Sequence, residues 1–379
     1  MSVRNKRLWG ATLVGLAGIL IAYAKVGAER FWLNWVLWFV FLLSLALGAL
    51  FLVALEHLVA ARWSVPIRRI PERLSTLLIP LTVIGLIGLA AVPVIYPGAR
   101  PEALADKLLA GKAFWLGLPC FSLRVVLCFV AWLAALAVLV KGSLAQDRSH
   151  DPRFNIRARR FAPLAMAFFG FGITLVAFDW ISALEPAWYS DIFGVQLFAG
   201  AFLAGLSATV LMVLHLQGRD RLPEVGRDHL YNLGGFTFAF TVFWAYIAFA
   251  QYMLMWYADL PEEVFWYEKR LHGGWLPVIL VTGVLHFLIP FFALLSRDAK
   301  KHPGRLRWIA IVMLLAHFLD LYWLVFPALM PQPVFSWPEL SFALFFLGGA
   351  LLWIRRVRGL GEDMPVGDAF LKQGLEFRL

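Results

Sequence analysis

Charged residues and cysteines are scarce in this sequence, and each scarcity excludes a class of protein. Asp, Glu, Lys and Arg make up 15% of the 379 residues, against about 25% in a soluble domain, and 61% are hydrophobic. This composition excludes a water-soluble globule and a disordered chain. Cys120 and Cys128 lie in one apolar run, with a spacing that fits neither a disulfide framework nor a metal knuckle. No glycine-rich phosphate loop follows a strand, so nucleotide chemistry is not expected in this chain.

Ten apolar stretches are long enough to cross a membrane, which takes about 20 apolar residues in a helix. Their approximate limits are Leu8–Ala24, Phe31–His57, Leu74–Ile95, Ala113–Val140, Phe161–Leu184, Ile192–Leu216, Leu230–Tyr257, Trp275–Ser296, Trp308–Phe326 and Phe335–Trp353. The first stretch follows three basic residues and ends near Ala22-Tyr23-Ala24, so it also resembles a signal peptide. Because the stretch is long for a signal peptide, we expect a retained helix. Cleavage would leave the other spans unchanged.

The basic residues predict the orientation of these spans. With the N-terminus on one side, that side holds 26 of the 34 Lys and Arg residues, the other side holds 7, and Arg124 lies within a span. Loops rich in Lys and Arg stay in the cytoplasm. We therefore expect both termini in the cytoplasm. The basic loops are explained by orientation and anionic lipid, so no nucleic-acid partner is expected.

The loops on the opposite side are acidic and rich in Trp, Tyr and Pro, in the segments 178–191, 256–267 and 331–339. An aromatic belt at the membrane interface explains many of these rings. The same loops could instead form a docking platform for a peripheral partner. The docking candidates are Trp180, Trp188, Tyr189, Trp256, Glu262, Glu263 and Trp266.

Arg124 is the one basic residue predicted at the middle of a span. A charge at the centre of a membrane helix costs at least about 2.5–3.5 kcal/mol, so it needs a partner or a wet cavity. Asp179, near the outer end of the fifth span, is the nearest candidate partner. The pair is either a structural ion pair or a proton-carrying carboxylate tuned by an arginine.

Three further titratable residues are predicted at one depth in the eighth and ninth spans. His317 and Asp320 are three residues apart and share one helix face, and His286 lies at a similar depth on the eighth span. The three residues are either interhelical hydrogen-bonding groups or members of a proton relay. Two histidines at matched depth could also ligate a haem b, but the remaining histidines supply no second pair, so no haem is expected.

Polar candidates also lie near both ends of the spans. Glu56, His57 and His215 lie toward the cytoplasmic ends, where they are either solvated interfacial groups or the mouth of a half-channel. Gln251 lies toward the outer ends, as do three carboxylates, those of Asp179, Glu185 and Asp191. A transmembrane proton pathway requires polar groups at the inner, middle and outer levels of the membrane, and the sequence offers candidates at all three levels.

Several segments resemble one known family. The strongest is the string FDWISALEPAWYSDIFG at 178–194, continuing at 198–202; the others are WSVPIRR at 63–69, the stretch 237–254, and WYA with PEE at 256–263. They are similar to the ActF-type, quinone-binding subunit 2 of alternative complex III, the bacterial quinol:cytochrome c oxidoreductase. That subunit belongs to the polysulfide-reductase-like, or NrfD-like, membrane family. The matches extend over residues 50–350.

The resemblance implies an all-α membrane fold of two four-helix bundles in a bacterial inner membrane. Residues 1–30 would form a peripheral helix, 31–184 and 185–326 the bundles, and 327–379 the last helix with a cytoplasmic tail. The implied partners are an iron–sulfur subunit and haem c subunits at the outer face, with a paralogous membrane subunit alongside. Quinone is the implied cofactor, and no haem, metal or flavin is expected in this chain. In such complexes the well-formed quinol pocket is expected in the paralogous subunit.

The sequence thus favours a non-autonomous subunit of a respiratory quinol-oxidising complex, which supports quinol oxidation and moves protons. No histidine lies at the outer end of the fourth or fifth span, which weakens a quinol site within this chain. A stand-alone transporter or channel is the first alternative, although the prolines do not form paired breaks at mid-span. A purely structural membrane anchor is the second alternative.

Overall fold

The computed structural model describes residues 3–359 and 361–379. Within them it contains helices and turns but no strand. Ten helical segments are long and apolar enough to cross a membrane, which confirms the predicted multi-pass architecture. We name them α1 (Asn5–Lys25), α2 (Ala28–Leu58), α3 (Arg69–Ile95), α4 (Leu118–Ser149), α5 (Arg153–Leu184), α6 (Phe193–Gln217), α7 (Arg227–Ala258), α8 (Trp275–Ala293), α9 (Pro303–Ala328) and α10 (Trp337–Arg358).

The helices differ from the apolar stretches mainly at their ends. The fourth stretch was predicted to end at Val140, whereas α4 continues to Ser149 through polar residues. In the same way α3 begins at Arg69, before the first apolar residue of the predicted span. Hydropathy detects the part of a helix that suits hydrocarbon, whereas backbone hydrogen bonding continues into the polar region beyond it.

Helix α2 lies at the centre of the molecule. Its most apolar window is entirely buried by protein, because α3, α5, α6, α9 and α10 all pack against it. Its contact with α6 is the closest, at Gly48 and Gly205. A Cβ atom on Gly205 would lie 2.5 Å from the carbonyl carbon of Gly48, and one on Gly48 would overlap the carbonyl oxygen of Ala201. Glycine at both positions lets the two backbones touch, as is common between membrane helices.

The loops form two opposite surfaces. The acidic loop side consists of residues 96–117, 185–192, 259–274 and 329–336, and includes the short helix Pro261–Leu271. The basic loop side consists of residues 59–68, 150–152, 218–226, 294–302 and 359–379, together with the helix ends beside them, which carry most of its Lys and Arg residues. Leu360 lies outside the described residues. On the acidic loop side the loops contact one another, for example through Lys269 Nζ and Glu185 Oε1 at 3.1 Å.

The C-terminal tail folds back over the basic loop side. Asp368 Oδ2 lies 2.8 Å from Arg68 Nη1, and Asp363 Oδ1 lies 2.5 Å from Arg73 Nη1. Arg221 also pairs with Asp363, and all these carboxylates are buried. The tail is therefore a packed part of the protein that neutralises buried arginines.

Candidate functional site

Three titratable side chains meet in the interior at mid-span. His286 on α8 and His317 and Asp320 on α9 are almost completely inaccessible to solvent; we call them the central cluster. The ring centroids of His286 and His317 are 6.4 Å apart. The structure therefore brings together the three residues that the sequence placed at one depth.

Neighbouring helices complete the walls of the central cluster. His317 Nε2 lies 2.7 Å from Ser44 Oγ on α2, and the Trp244 indole N–H on α7 donates to Asp320 Oδ2 at 3.2 Å. The Trp244 ring also lies against His286, with ring centroids 3.9 Å apart. Together with α6, which carries Gly200, five helices converge on the site.

Gly200 on α6 provides the space that the central cluster occupies. A Cβ atom at this position would lie 2.8 Å from His317 Nδ1 and 3.9 Å from Asp320 Oδ2. Sequence reasoning missed Gly200, Ser44 and Trp244. In the sequence these residues are marked only as a glycine, a serine and a tryptophan within apolar helices. Such residues are also common where helices merely pack together.

The central cluster has unused hydrogen-bonding capacity. Both ring nitrogens of His286, Nδ1 of His317 and Oδ1 of Asp320 have no hydrogen-bond partner within the described part of the protein. A buried polar atom without a partner costs about 1–3 kcal/mol, and nearly all such atoms in proteins are satisfied by protein or water. The site is thus polar and enclosed, and it keeps free donors and acceptors of the kind that buried water satisfies in proteins.

His286 stands on a π-helical turn, Val284–Leu288. A second such turn, Ala177–Ile181, contains Asp179, and a third lies in α4 at Ala137–Lys141. Single π-helical turns within α-helices occur frequently at functional sites, because the widened turn redirects the side chains on it. Two of these three turns carry a residue that the sequence analysis had selected.

A second polar group lies between the central cluster and the acidic loop side. Gln251 accepts a hydrogen bond from the Ser190 hydroxyl at 3.0 Å and donates to Gln196 Oε1 and the Tyr267 hydroxyl at 3.0 and 3.1 Å. Burial raises the pKa of the Tyr267 phenol well above its usual range, although the Gln251 hydrogen bond and the Arg270 charge oppose the rise. The phenol therefore keeps its proton at physiological pH.

Arg124 and Asp179 form a closed ion pair. Arg124 Nε and Nη2 each lie 2.8 Å from a carboxylate oxygen of Asp179, and Nη1 donates to the Trp115 carbonyl at 2.8 Å. The Trp115 ring covers the guanidinium at 4.0 Å. The partner expected from the sequence is present, and the two-pronged geometry is the strongest that an arginine and a carboxylate can form.

Three predicted docking residues are buried, which corrects their assignment to a docking surface. Trp188 and Trp266 stack at 4.3 Å inside the acidic loop side, and Trp180 is buried against Phe39 and Phe121. Because they are buried, their indole rings cannot contact a partner. The burial itself is favourable, since a large apolar ring gains free energy when it leaves water and packs in the interior.

Arg270 is the centre of this packed loop structure. It lies 2.6 Å from Glu185, stacks on the Trp266 ring at 3.7 Å and donates to the Leu324 carbonyl at 3.0 Å. Burial lowers the pKa of the guanidinium to about 10, although the Glu185 carboxylate opposes the shift. Arg270 therefore stays charged at physiological pH, and Glu185, a predicted proton-pathway residue, is held in a structural ion pair.

The remaining predicted docking residues form the accessible part of the acidic loop side. Tyr189 and Trp256 are 59% and 66% exposed, and Glu262 is also exposed. Asp191, predicted as a proton-pathway residue, is exposed on the same side. Glu263 is half-buried. An acidic and aromatic surface is thus present, built from fewer rings than the sequence suggested.

The three predicted groups at the cytoplasmic ends do not form one site. Glu56 is buried, with Oε2 3.6 Å from Arg68 Nε, and His57 beside it is also buried. His215 is exposed at the end of α6, where it lines a separate surface depression with Arg219 and Arg307. Glu56 therefore belongs to the ionic network of the C-terminal tail, through Arg68 and Asp368.

Within residues 3–359 and 361–379 no three His, Cys, Asp or Glu side chains are grouped as a metal site would require. The chain matches no known family model, and no curated protein is similar enough in sequence to count as a match.

Proposed function

We propose that the chain is a membrane subunit of a bacterial quinol:cytochrome c oxidoreductase complex, in which it carries protons between its two loop sides. One observation supports the proton-carrying role above all. The central cluster holds three titratable groups away from solvent and leaves four of their polar atoms without protein partners. Most buried polar atoms in proteins have a partner, and here four atoms without one belong to three titratable groups that meet at one place.

The route proposed for the proton follows the buried polar groups. From the central cluster it leads past Tyr267 and Gln251 toward the acidic loop side. In the other direction it leads from His317 and Ser44 toward Glu56, which is twelve residues, or about 18 Å, further along α2. Ser207 on α6 is buried in this interval with an unpartnered hydroxyl. Water would have to connect these groups, since protons move along hydrogen-bonded chains.

The membrane arrangement is part of the same proposal. The excess of basic residues supports a cytoplasmic basic loop side and cytoplasmic termini in the inner membrane. The bundles proposed are α2–α5 and α6–α9, with α1 and α10 outside them. The exposed part of the acidic loop side would then receive the iron–sulfur and haem c subunits. A paralogous membrane subunit would lie alongside.

Direct quinol oxidation is assigned to that paralogous subunit. A quinol site needs a carboxylate or histidine able to accept a hydroxyl proton. Asp179 is fully engaged by Arg124, and Glu185 is engaged by Arg270 and Lys269. Binding of quinone by this chain would therefore need other residues.

The proton role is tested by neutralising the central cluster in the assembled complex. Asp320→Asn removes the titratable carboxylate while keeping an acceptor for the Trp244 N–H. We expect the rate of quinol-driven proton translocation in proteoliposomes to fall at least about tenfold, a rate loss typical of a removed proton-transfer group. Asp298→Asn, which alters an exposed carboxylate, is the matched control and should have no effect.

The outcome separates the proposed roles. Unchanged pumping and turnover in Asp320→Asn would remove this residue from the mechanism and favour an anchoring role. Purification in mild detergent tests the complex itself: haem c and iron–sulfur subunits should co-purify with the chain. Recovery of a monodisperse lone chain that conducts protons or solutes would favour the transporter alternative.

A further inference from the structure

A long apolar groove runs along the outside of the helices on the basic half of the molecule. It has a volume of about 540 Å³ and lies between α1, α2, α3 and α10. Leu42, Leu81 and Phe346 form its floor, and Arg355 and Arg356 lie at one end. The groove is large enough for a ligand of small-molecule size, and its lining is almost entirely apolar apart from that end.

A polar depression of about 420 Å³ adjoins the groove at the arginine end. Both are lined by Asn5 and Arg355, whose Nη1 donates to Asn5 Oδ1 at 3.0 Å, so the two cavities are adjacent. Arg221 and Arg358 also line the depression, together with one carboxylate, Glu362. The site thus joins an apolar channel to a basic cup.

The charges that face the cup remain positive in sum. Asp363 lies beside it, but it already pairs with Arg73 at 2.5 Å and with Arg221 at 2.5 Å. Its distance to Arg358 is 3.9 Å, and Arg358 Nε is buried without a hydrogen-bond partner in the described part of the chain. The cup therefore offers hydrogen-bond donors and positive charge to an anion.

We propose that this groove and cup bind one anionic glycerophospholipid, with an acyl chain in the groove and the phosphate at Arg355 and Arg358. An anionic lipid matches both parts of the site, and basic pockets between membrane helices bind such headgroups. A neutral quinone would fill the groove but leave the arginines of the cup unused. The inference is independent of the proposed proton role.

Two changes test the two halves of the site. Gly349 lines the groove, and a Cβ atom there would meet nothing within 4 Å, so Gly349→Leu should fill the groove without disturbing the fold. Gly170→Leu on α5 is its control, because Gly170 also faces open space but lies away from the groove. Arg355→Gln/Arg358→Gln removes the charge of the cup. Arg159→Gln/Arg160→Gln removes equal charge from an exposed part of the basic half.

The measurement is native mass spectrometry of the full chain in nanodiscs that contain equal amounts of phosphatidylglycerol and phosphatidylcholine with identical acyl chains. The unchanged chain and both controls should retain one phosphatidylglycerol. The double arginine variant should lose about thirtyfold in apparent affinity, from roughly 1 kcal/mol per arginine. Gly349→Leu should lose retention of the lipid, while its thermal unfolding stays that of Gly170→Leu.

Equal retention of phosphatidylglycerol and phosphatidylcholine would overturn the proposal, because it would indicate general lipid contact. If neither Gly349→Leu nor Arg355→Gln/Arg358→Gln reduces the retention of phosphatidylglycerol, the lipid does not bind at the proposed groove and cup. Retention of added quinone in place of phospholipid, lost in Gly349→Leu but kept in the arginine variant, would reassign the groove to quinone.

Discussion

Arg124 shows at the scale of a residue what a charge requires inside these helices. Its guanidinium is shared between the Asp179 carboxylate, the Trp115 carbonyl and the Trp115 ring. The central cluster is the opposite case, because four of its polar atoms are buried without such partners. Polar groups whose hydrogen bonds are all made fix a single arrangement of side chains. Polar atoms without a protein partner stay available to bind water and to exchange protons.

The Arg124–Asp179 pair is testable by a double-mutant cycle. Asp179→Leu should destabilise the protein by about 3–5 kcal/mol, because it leaves the buried Arg124 charge without its carboxylate. The double variant Arg124→Met/Asp179→Leu should recover much of that loss, since it leaves no charge buried. Unfolding of Arg124→Met, Asp179→Leu and the double variant in one detergent measures the coupling. Additive losses would contradict the coupling.

At the scale of elements, the short helix Pro261–Leu271 is held down by one residue. Arg270 contacts Glu185, the Trp266 ring and the end of α9. Its neighbour Lys269 also contacts Glu185, but its side chain is 41% exposed. The two basic residues therefore differ in burial while they share a partner.

This difference predicts unequal effects of the two charges. Arg270→Gln should leave Glu185 poorly compensated and loosen the acidic loop side, which faster amide exchange over residues 261–271 would reveal. Lys269→Gln should change exchange little, because exposed ion pairs contribute about 0–1 kcal/mol. Equal exchange in both variants would show that Arg270 does not anchor this helix.

The contact between α2 and α6 is the second feature at this scale. Gly48→Ala should destabilise the protein by about 1–3 kcal/mol, since the new methyl group meets the backbone of α6 and not a movable side chain. Gly170→Ala, where the methyl group meets open space, serves as the control. Thermal unfolding of the two variants should separate them. A melting temperature for Gly48→Ala equal to that of the control would place the helices further apart than observed.

At the scale of the whole molecule, the C-terminal tail completes the basic loop side. The charge distribution predicts a cytoplasmic tail. Its buried charged residues are Asp363 and Asp368, which neutralise Arg73 and Arg68 from the chain's first third. Asn155 also donates to Asp368, at 2.9 Å. The tail thus joins segments that are distant in sequence.

Neutralising the tail carboxylates should therefore destabilise the whole protein. For Asp363→Asn/Asp368→Asn we expect a loss of at least about 3–5 kcal/mol, because buried arginines lose their charged partners. Lys372→Gln/Glu376→Gln, which removes an exposed pair in the same tail, should leave the melting temperature unchanged. A small effect of the aspartate variant would mean that water replaces the tail at these arginines.

Sequence reasoning reached the interior only where a titratable or amide side chain stood in an apolar helix. Arg124 demanded a carboxylate, and Asp179 was the nearest in the chain. His286, His317 and Asp320 stood out because such groups are costly in hydrocarbon. By contrast, burial of Trp188 and Trp266 had no local signal, because tryptophan suits both a membrane interface and a packed interior.

The sequence by itself determined the ten membrane helices, because in hydrocarbon each backbone must satisfy its own hydrogen bonds and an apolar run of this length forms a helix. The tertiary structure alone decided which side chains meet. Hydropathy does not set how a helix rotates about its axis or which neighbour it touches, since side-chain packing between helices determines both. Gly200 beside His317 and Asp368 beside Arg68 are contacts of that kind.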